Sequence, residues 1–251
     1  PVLMYLAASG VGTLGIMDDD VVDRSNLQRQ IIHGTADIGR SKVRSAAVRV
    51  KDINPHVETV LYEERAEAEN LMEILSKYDF IIDAVDSFAS KFLINDACVL
   101  AKKPFCHGGI REFQGQVMTY VPGCGPCYRC IFEEIPADGQ IDSCSQAGVL
   151  GTMPGIIGSL QALEAQKYLL GTGDLLTGAM LVFDGLSMEF RKVKFSKASP
   201  SCRVCGEKAD IKTLEKLLNI EYQKFISIIC FLKTAELRIS TNDANIVFDS
   251  D

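Results

Sequence analysis

The sequence predicts an α/β fold: a doubly wound, mostly parallel sheet with an antiparallel extension, tied together by four cysteines. Three observations predict it. Apolar runs of strand length alternate with helical segments through the first hundred residues, the pattern of a parallel sheet covered on both faces. Two later runs meet at Asp184-Gly185, a hairpin signal that adds antiparallel strands. Two CxxC pairs, Cys127 and Cys130 in C-Y-R-C and Cys202 and Cys205 in C-R-V-C, have the spacing of one tetrahedral zinc site. Four thiolates leave no open coordination position, so such a site is structural. The alternative is two unrelated thiol pairs or two disulfides, but a CxxC disulfide is a redox motif and seldom a structural bridge.

The elements follow in order. Residues 1–9 read as a helix with Pro1 in its first turn, where a missing N–H costs nothing, and Gly10 ends it. Residues 11–17 read as a strand running into the acidic cluster Asp18, Asp19, Asp20. Residues 40–53 read as a helix stopped by Asn54-Pro55, and 57–62 as a strand. A helix at 66–76 precedes F-I-I-D-A-V at 80–85, an apolar strand of the buried parallel type. Ser87 is placed to cap a helix reaching about Ala101. Residues 104–110 and 114–121 read as strands, and 153–170 as a helix ended by Gly171. The hairpin pairs 178–183 with 188–195. Between these lies 122–151, rich in Gly, Pro, Cys and Asp and read as a long functional loop. Residues 211–251 read as a tail with weak signals, including a faint strand at 246–249.

The chain has 251 residues, 47% apolar and 24% charged, which fits an ordinary globular protein of one large domain with at most a small appendage. A net charge of −7 and the lack of any basic run argue against nucleic acid as a partner. Nine cysteines suggest a reducing compartment. No signal peptide is evident, and the apolar run at 225–232 is too short to span a membrane. The expected location is the cytoplasm, with no membrane partner.

Ligands of open α/β sheets bind outside the carboxyl ends of strands. Asp18 sits at such an end and could take a ribose hydroxyl. Downstream, S-N-L-Q-R-Q (Ser25, Asn26, Leu27, Gln28, Arg29, Gln30) and Lys42 could converge on a ligand, Arg29 as a fork and Lys42 as a point charge for phosphate. A solvated loop followed by a charged helix face explains the same residues. Asp86 ends F-I-I-D-A-V and could hold a metal or cap the helix that follows. Lys91 and Asn95 share a helix face, either toward that site or on the surface. Cys144, outside the pairs and among small polar neighbours, could be a nucleophile or a bystander. Cys98, Cys106 and Cys230 read as buried packing residues, and Cys124 as a spare thiol. His56 and His107 lack partners at a recognisable spacing and read as structural.

The combination resembles the ThiF/MoeB/HesA family, bacterial relatives of ubiquitin-activating enzymes. The carrying motifs are D-D-D-V-V-D-R-S-N-L-Q-R-Q at 18–30, I-G-R-S-K at 38–42, the strand ending at Asp86, C-Y-R-C, S-C at Cys144 and G-I-I-G-S-L-Q-A-L-E at 155–164. The resemblance runs from Pro1 to about Gly206. It implies a Rossmann-like adenylation domain at 1–210 that binds Mg²⁺ and ATP and a small ubiquitin-like sulfur carrier ending in Gly-Gly. The carrier's carboxylate attacks the α-phosphate, giving an acyl-adenylate and pyrophosphate, in molybdopterin or thiamine biosynthesis. By the motif, Asp18 holds the ribose. Asn26, Arg29 and Lys42 bind phosphates, with Ser25, Leu27, Gln28 and Ser87 around the nucleotide. Asp86 positions magnesium, and Cys144 attacks the adenylate or takes part in sulfur transfer. A homodimer is implied.

The chain departs from the pattern in three ways. The family's first strand and glycine-rich phosphate loop come before the helix that starts at Pro1, so the sheet is expected to lack a central strand and to expose an edge. Ser87 and Lys91 stand where the family usually has Asn and Arg. The 211–251 tail is too short for an appended sulfurtransferase domain. A different class of reading is a catalytically impaired, zinc-stabilised module that binds a ubiquitin-like protein. A nicotinamide-dependent oxidoreductase on a similar sheet lacks a dinucleotide fingerprint and leaves the four cysteines unexplained.

Overall fold

The computed structural model describes residues 1–136, 148–195, 197–214, 227–234, 238–240 and 247–249. Helix α1 (Val2–Ala8) starts directly after Pro1 and gives way at Gly10, whose φ is 74°. It leads into β1 (Thr13–Met17), then α2 (Lys42–Ile53), β2 (Glu58–Tyr62), α3 (Ala68–Ser76) and β3 (Phe80–Val85). Helix α4 (Phe88–Leu100) is capped by Ser87, whose hydroxyl accepts the Ser90 N–H at 3.1 Å. Strands β4 (Phe105–Arg111) and β5 (Gln114–Tyr120) follow, then a single turn of helix α5 (Tyr128–Ile131) inside the first cysteine pair. Helix α6 (Thr152–Leu170) ends at Gly171 in the left-handed conformation, φ 61°, which spares a side chain the αL strain. Strands β6 (Ala179–Asp184) and β7 (Glu189–Lys194) form the expected hairpin.

One eight-stranded sheet runs in the order β2-β1-β8-β3-β4-β5-β6-β7, where β8 is Ser227–Lys233. Strands β1 and β2 are parallel, as are β3 and β4, while β5, β6 and β7 continue the sheet antiparallel. This bears out the mixed sheet with an antiparallel extension. A separate two-stranded ribbon pairs β9 (Arg238–Ser240) with β10 (Val247–Asp249), the latter where a faint strand was expected.

The expected gap at the centre of the sheet does not exist. Strand β8 fills it, antiparallel to both neighbours, with Met17 opposite Ile229 and Val85 opposite Ser227. The apolar run at 225–232 is the reason. A central strand is covered on both faces and so reads as unbroken apolar sequence rather than alternation. Ile229 and Phe231 enter the core beneath α3 and α4, with Leu71, Leu75, Phe92 and Ile94. Cys230 and Leu232 enter the opposite core beneath α1, α2 and α6, with Leu6, Val43, Ile157 and Ala165. The period of two along one strand thus feeds both layers. Cys98 and Cys106 are buried packing residues as well, and Cys124 is exposed.

Phe231→Ala should cost about 3–5 kcal/mol, the usual range for emptying a buried phenyl site. The check is a fall in the urea midpoint with an unchanged slope. An unchanged midpoint would remove β8 from the core.

Candidate functional site

The parallel strands present their carboxyl ends on one edge, where Asp18 with Lys42 and, beyond β8, Asp86 are found. Asp18 follows β1 directly and is buried. Its Oδ1 accepts the Asp20 N–H at 2.9 Å, while its Oδ2 is buried with no hydrogen bond. Lys42, the first residue of α2 and also buried, places Nζ 4.0 Å from that oxygen and 2.7 Å from Asp20 Oδ2. Burial pushes the Asp18 carboxyl up to about 6, against the pull of Lys42 and of the Asp20 N–H. The site therefore holds an acceptor with no donor of its own, as a ribose hydroxyl would require.

The backbone fixes this arrangement. The Lys42 N–H donates to Asp20 O at 3.0 Å, and Val22 exchanges bonds with Arg40 and Gly39 at 2.8 Å each. The intervening loop must then return to its start, carrying Ser25 to Arg29 past the strand end. Asp23 caps the 3-10 turn Arg24–Asn26 by accepting from the Ser25 N–H at 2.8 Å, and Asn26 Oδ1 accepts the Asp23 N–H at 2.9 Å. One end of Asn26 is thus spent on structure, which leaves its amide donor for a ligand. Leu27 is half-buried, Gln28 reaches Val149 O at 3.5 Å, and Arg29 Nη1 folds back on Ser25 O at 3.0 Å. Asp86 is exposed just past β3, across β8 from Asp18. A shallow hollow between the strand ends is lined by Asp19, Arg65, Val85, Ser90 and Ile229 among others. Arg65 pairs with Asp19 at 2.8 Å and keeps a buried Nε without a partner. Cys144 lies outside the described residues.

Ser87, the expected α4 cap, is buried with its hydroxyl paired to Ser90. Several expectations need correction. Lys91 and Asn95 are buried, not surface residues. His107 does have a partner: its Nδ1 donates to Asp83 Oδ2 at 2.7 Å, both fully buried. Burial and then Lys91 hold the His107 imidazole below its ordinary range, so it is neutral with the proton on Nδ1. Burial alone would raise Asp83, but Lys91, His107 and the Val85 N–H outweigh it and leave the carboxyl below the usual range. Asp83 was missed, although a carboxylate inside an otherwise apolar strand is itself a signal that a buried partner exists.

The four cysteines converge away from this edge. Their sulfurs lie within 4.8 Å of one another, with pair distances of 3.3 to 3.8 Å. A tetrahedron of thiolates about 2.3 Å from zinc has edges of about 3.8 Å, so the four together could bind zinc. Asn95 Oδ1 accepts the Tyr128 N–H at 2.8 Å, and Asp96 takes the Arg129 fork at 3.0 and 2.6 Å, which docks this knuckle on α4.

Asp18→Asn should stabilise the ligand-free protein at pH 7.5. A carboxyl raised from about 4 to about 6 on folding gives full stability below the unfolded value and loses it as pH climbs through about 6. The gain is bounded by roughly 3 kcal/mol at about 1.4 kcal/mol per unit and should vanish near pH 4. Thermal melts at both pH values check it, and equal effects at both would refute the buried charge.

The chain matches the ThiF family over residues 1–204. It is 45% identical to the SAMP-activating enzyme E1 of Haloferax volcanii, over 82% of this chain and 76% of that protein. It is 42% identical to the sulfur carrier protein adenylyltransferase of Thermus thermophilus, over 90% of this chain and 83% of that one. It is 38% identical to the mouse adenylyltransferase and sulfurtransferase MOCS3, over all of this chain and 55% of that protein. The chain thus spans about half the length of the MOCS3 relatives it matches. Among solved structures, E. coli MccB with ATP superposes with a TM-score of 0.72 at 21% identity, covering 82% of this chain and 62% of that one, which shows a shared fold. On the family match and the identity to these relatives, the chain belongs to the ThiF family.

Proposed function

We propose that residues 1–210, with β8 from the 211–251 segment completing their sheet, form an adenylyltransferase domain that activates the C-terminal glycine of a ubiquitin-like sulfur carrier protein of the MoaD/ThiS type, for molybdopterin or thiamine biosynthesis. One carboxylate oxygen of the carrier attacks the α-phosphorus of ATP. The bond from that phosphorus to the β-phosphate bridging oxygen breaks, and pyrophosphate leaves. The observation that carries this reading is the buried, donor-less Oδ2 of Asp18 beside the Lys42 ammonium at the sheet's carboxyl edge, in a chain 42% identical to a named sulfur carrier protein adenylyltransferase. Asp18 would hold the ribose, and Lys42, Arg29 and the Asn26 amide would neutralise and orient the phosphates, with the 25–28 backbone around them. Asp86 would hold magnesium, which supplies charge neutralisation at the phosphates. Cys144 would act after adenylation.

Other features fit this reading. Zinc at Cys127, Cys130, Cys202 and Cys205 would hold the knuckle on α4. Helix α6 leaves Leu163 exposed and Ile156 and Leu160 only half-covered, and α1, which packs against it, exposes Tyr5. A second copy of the chain would cover these apolar side chains. The described cysteines are all free thiols, which suits a reducing cytoplasm. Among the described residues no helix is long and apolar enough to cross a membrane.

The first experiment is ATP–pyrophosphate exchange by the chain with a carrier ending in Gly-Gly. Carrier-dependent exchange is expected. Lys42→Ala should reduce it by about 10²–10³, the scale of removing one positioned charge, while Cys144→Ala should leave it intact. Carrier binding without exchange would favour the non-catalytic docking module instead. Elemental analysis should give one zinc per chain, and a strong chelator should lower the melting temperature. Metal-free protein with an unchanged melt would overturn the zinc assignment.

A further inference from the structure

Strands β3 and β4 pair from Ile81 to Asp83 and then part, although β3 runs on to Val85 alongside β8. The ladder starts with the Ile81 N–H on Pro104 O at 3.1 Å. Parallel rungs repeat every two residues, so the Val85 N–H should next meet Gly108 O. It does not. The Val85 N–H donates instead to Asp83 Oδ1 at 3.0 Å, and Gly108 O accepts from Lys91 Nζ at 2.8 Å. The two substitutes face each other, Lys91 Nζ lying 3.5 Å from Asp83 Oδ1. Below them, the Gln161 amide donates to Asp83 O at 2.7 Å and Cys106 O at 3.2 Å, while His107 holds the far oxygen of Asp83. A Cβ on Gly108 would sit 2.5 Å from the Gln161 side chain, so glycine is required for that amide to fit. All of these side chains are buried.

We infer that Asp83 and Lys91 replace a backbone rung with an ion pair, spread β3 from β4 at the carboxyl edge, and so set the position of Asp86. They are positioning residues for the metal-nucleotide site; the inference rests on the role of Asp86 in the proposed function. Asp86 follows Val85 directly, and the α4 cap follows Asp86, so a shift of the Val85 N–H moves both. The Lys91 ammonium is buried against Gly108 O and Asp83, so its influence on the ligand runs through this spread. The lysine in place of the family's usual arginine serves a single carbonyl and one carboxylate oxygen, which a point charge can satisfy.

The test compares Asp83→Asn, Lys91→Met, Lys91→Arg and Gly108→Ala in the full chain. Two readouts are needed: the magnesium dependence of carrier-stimulated pyrophosphate exchange, and amide hydrogen exchange at 85–87 in ligand-free protein. Asp83→Asn and Lys91→Met should raise the half-saturating magnesium concentration at least fivefold and speed exchange at 85–87 at least tenfold. Lys91→Arg should return the magnesium response to within twofold. If the first two variants do not fold, Gly108→Ala, which disturbs only the Gln161 support, should show the same shift in magnesium dependence. Folded variants with lower melting temperatures but unchanged magnesium dependence would overturn the inference. Should the unsubstituted chain catalyse no exchange, the adenylation reading falls separately. Unchanged amide exchange at 85–87 would still overturn the ion pair's role in its own right.

Discussion

The molecule depends on a single backbone obligation. Strands β1 and β3 each have a row of N–H and C=O groups facing the other, too far apart to pair directly, and β8 between them answers both rows. Buried main-chain groups left unpaired would each cost about as much as a lost hydrogen bond. Two halves of one sheet become a continuous hydrogen-bonded ladder through this strand, and the two cores that span both halves pack over it. Everything on the carboxyl edge, from Asp18 on one flank to Asp86 on the other, takes its spacing from it.

Charge is concentrated on that edge at some thermodynamic cost. Asp18 is held in a setting that disfavours its ionised form, with a lysine too far from Oδ2 to hydrogen-bond. By contrast, both oxygens of Asp83 and of Asp96 have partners: Asp83 has Lys91, His107 and the Val85 N–H, and Asp96, though burial raises its carboxyl too, takes the planar fork of Arg129, which also lies 4.5 Å over the Phe92 ring. Breaking such pairs leaves one charge stranded. The contrast separates scaffold from site. Carboxylates that brace α4 and β3 are satisfied within the protein, and the one at the end of β1 is not. Helix α4 links the two regions, since its first residues follow Asp86 and its later ones grip the cysteine knuckle through Asn95 and Asp96.

Much of this was legible in the sequence. The alternation that places β1 to β5, the Ser87 cap, the Gly171 stop and the four-cysteine cluster all depend on local or nearly invariant chemistry, which residue type and spacing report. Asp18 and Lys42 were legible because a strand end and a helix start come close wherever the loop between them closes. Strand β8 was not. Its apolar run showed, but which strands it joins is set by partners far away in the chain, and nothing within 225–232 encodes that gap. The Asp83–His107 pair was hidden for the same reason: 24 positions separate them, and only the β3–β4 register brings them face to face. For Lys91 and Asn95 the sequence left site-facing and surface positions open, because their burial depends on what α4 packs against.

The position of β8 also orders events at the ribosome. Ser227 emerges 142 residues after its partner Val85. At about 5–20 residues per second, translation leaves β3 with an open edge for roughly 7–30 s, and β1 for longer, since Ile229 follows its partner Met17 by 212 residues. Helices α1 to α6 can form in that interval from local contacts, but the sheet cannot become continuous until residues 227–233 arrive. Closure of the parallel half therefore waits on a strand made long after its own. During that wait the two facing edges offer apolar, unpaired backbone to any other nascent chain. The protein's yield in a cell should thus track chaperone supply and translation speed more closely than its final stability.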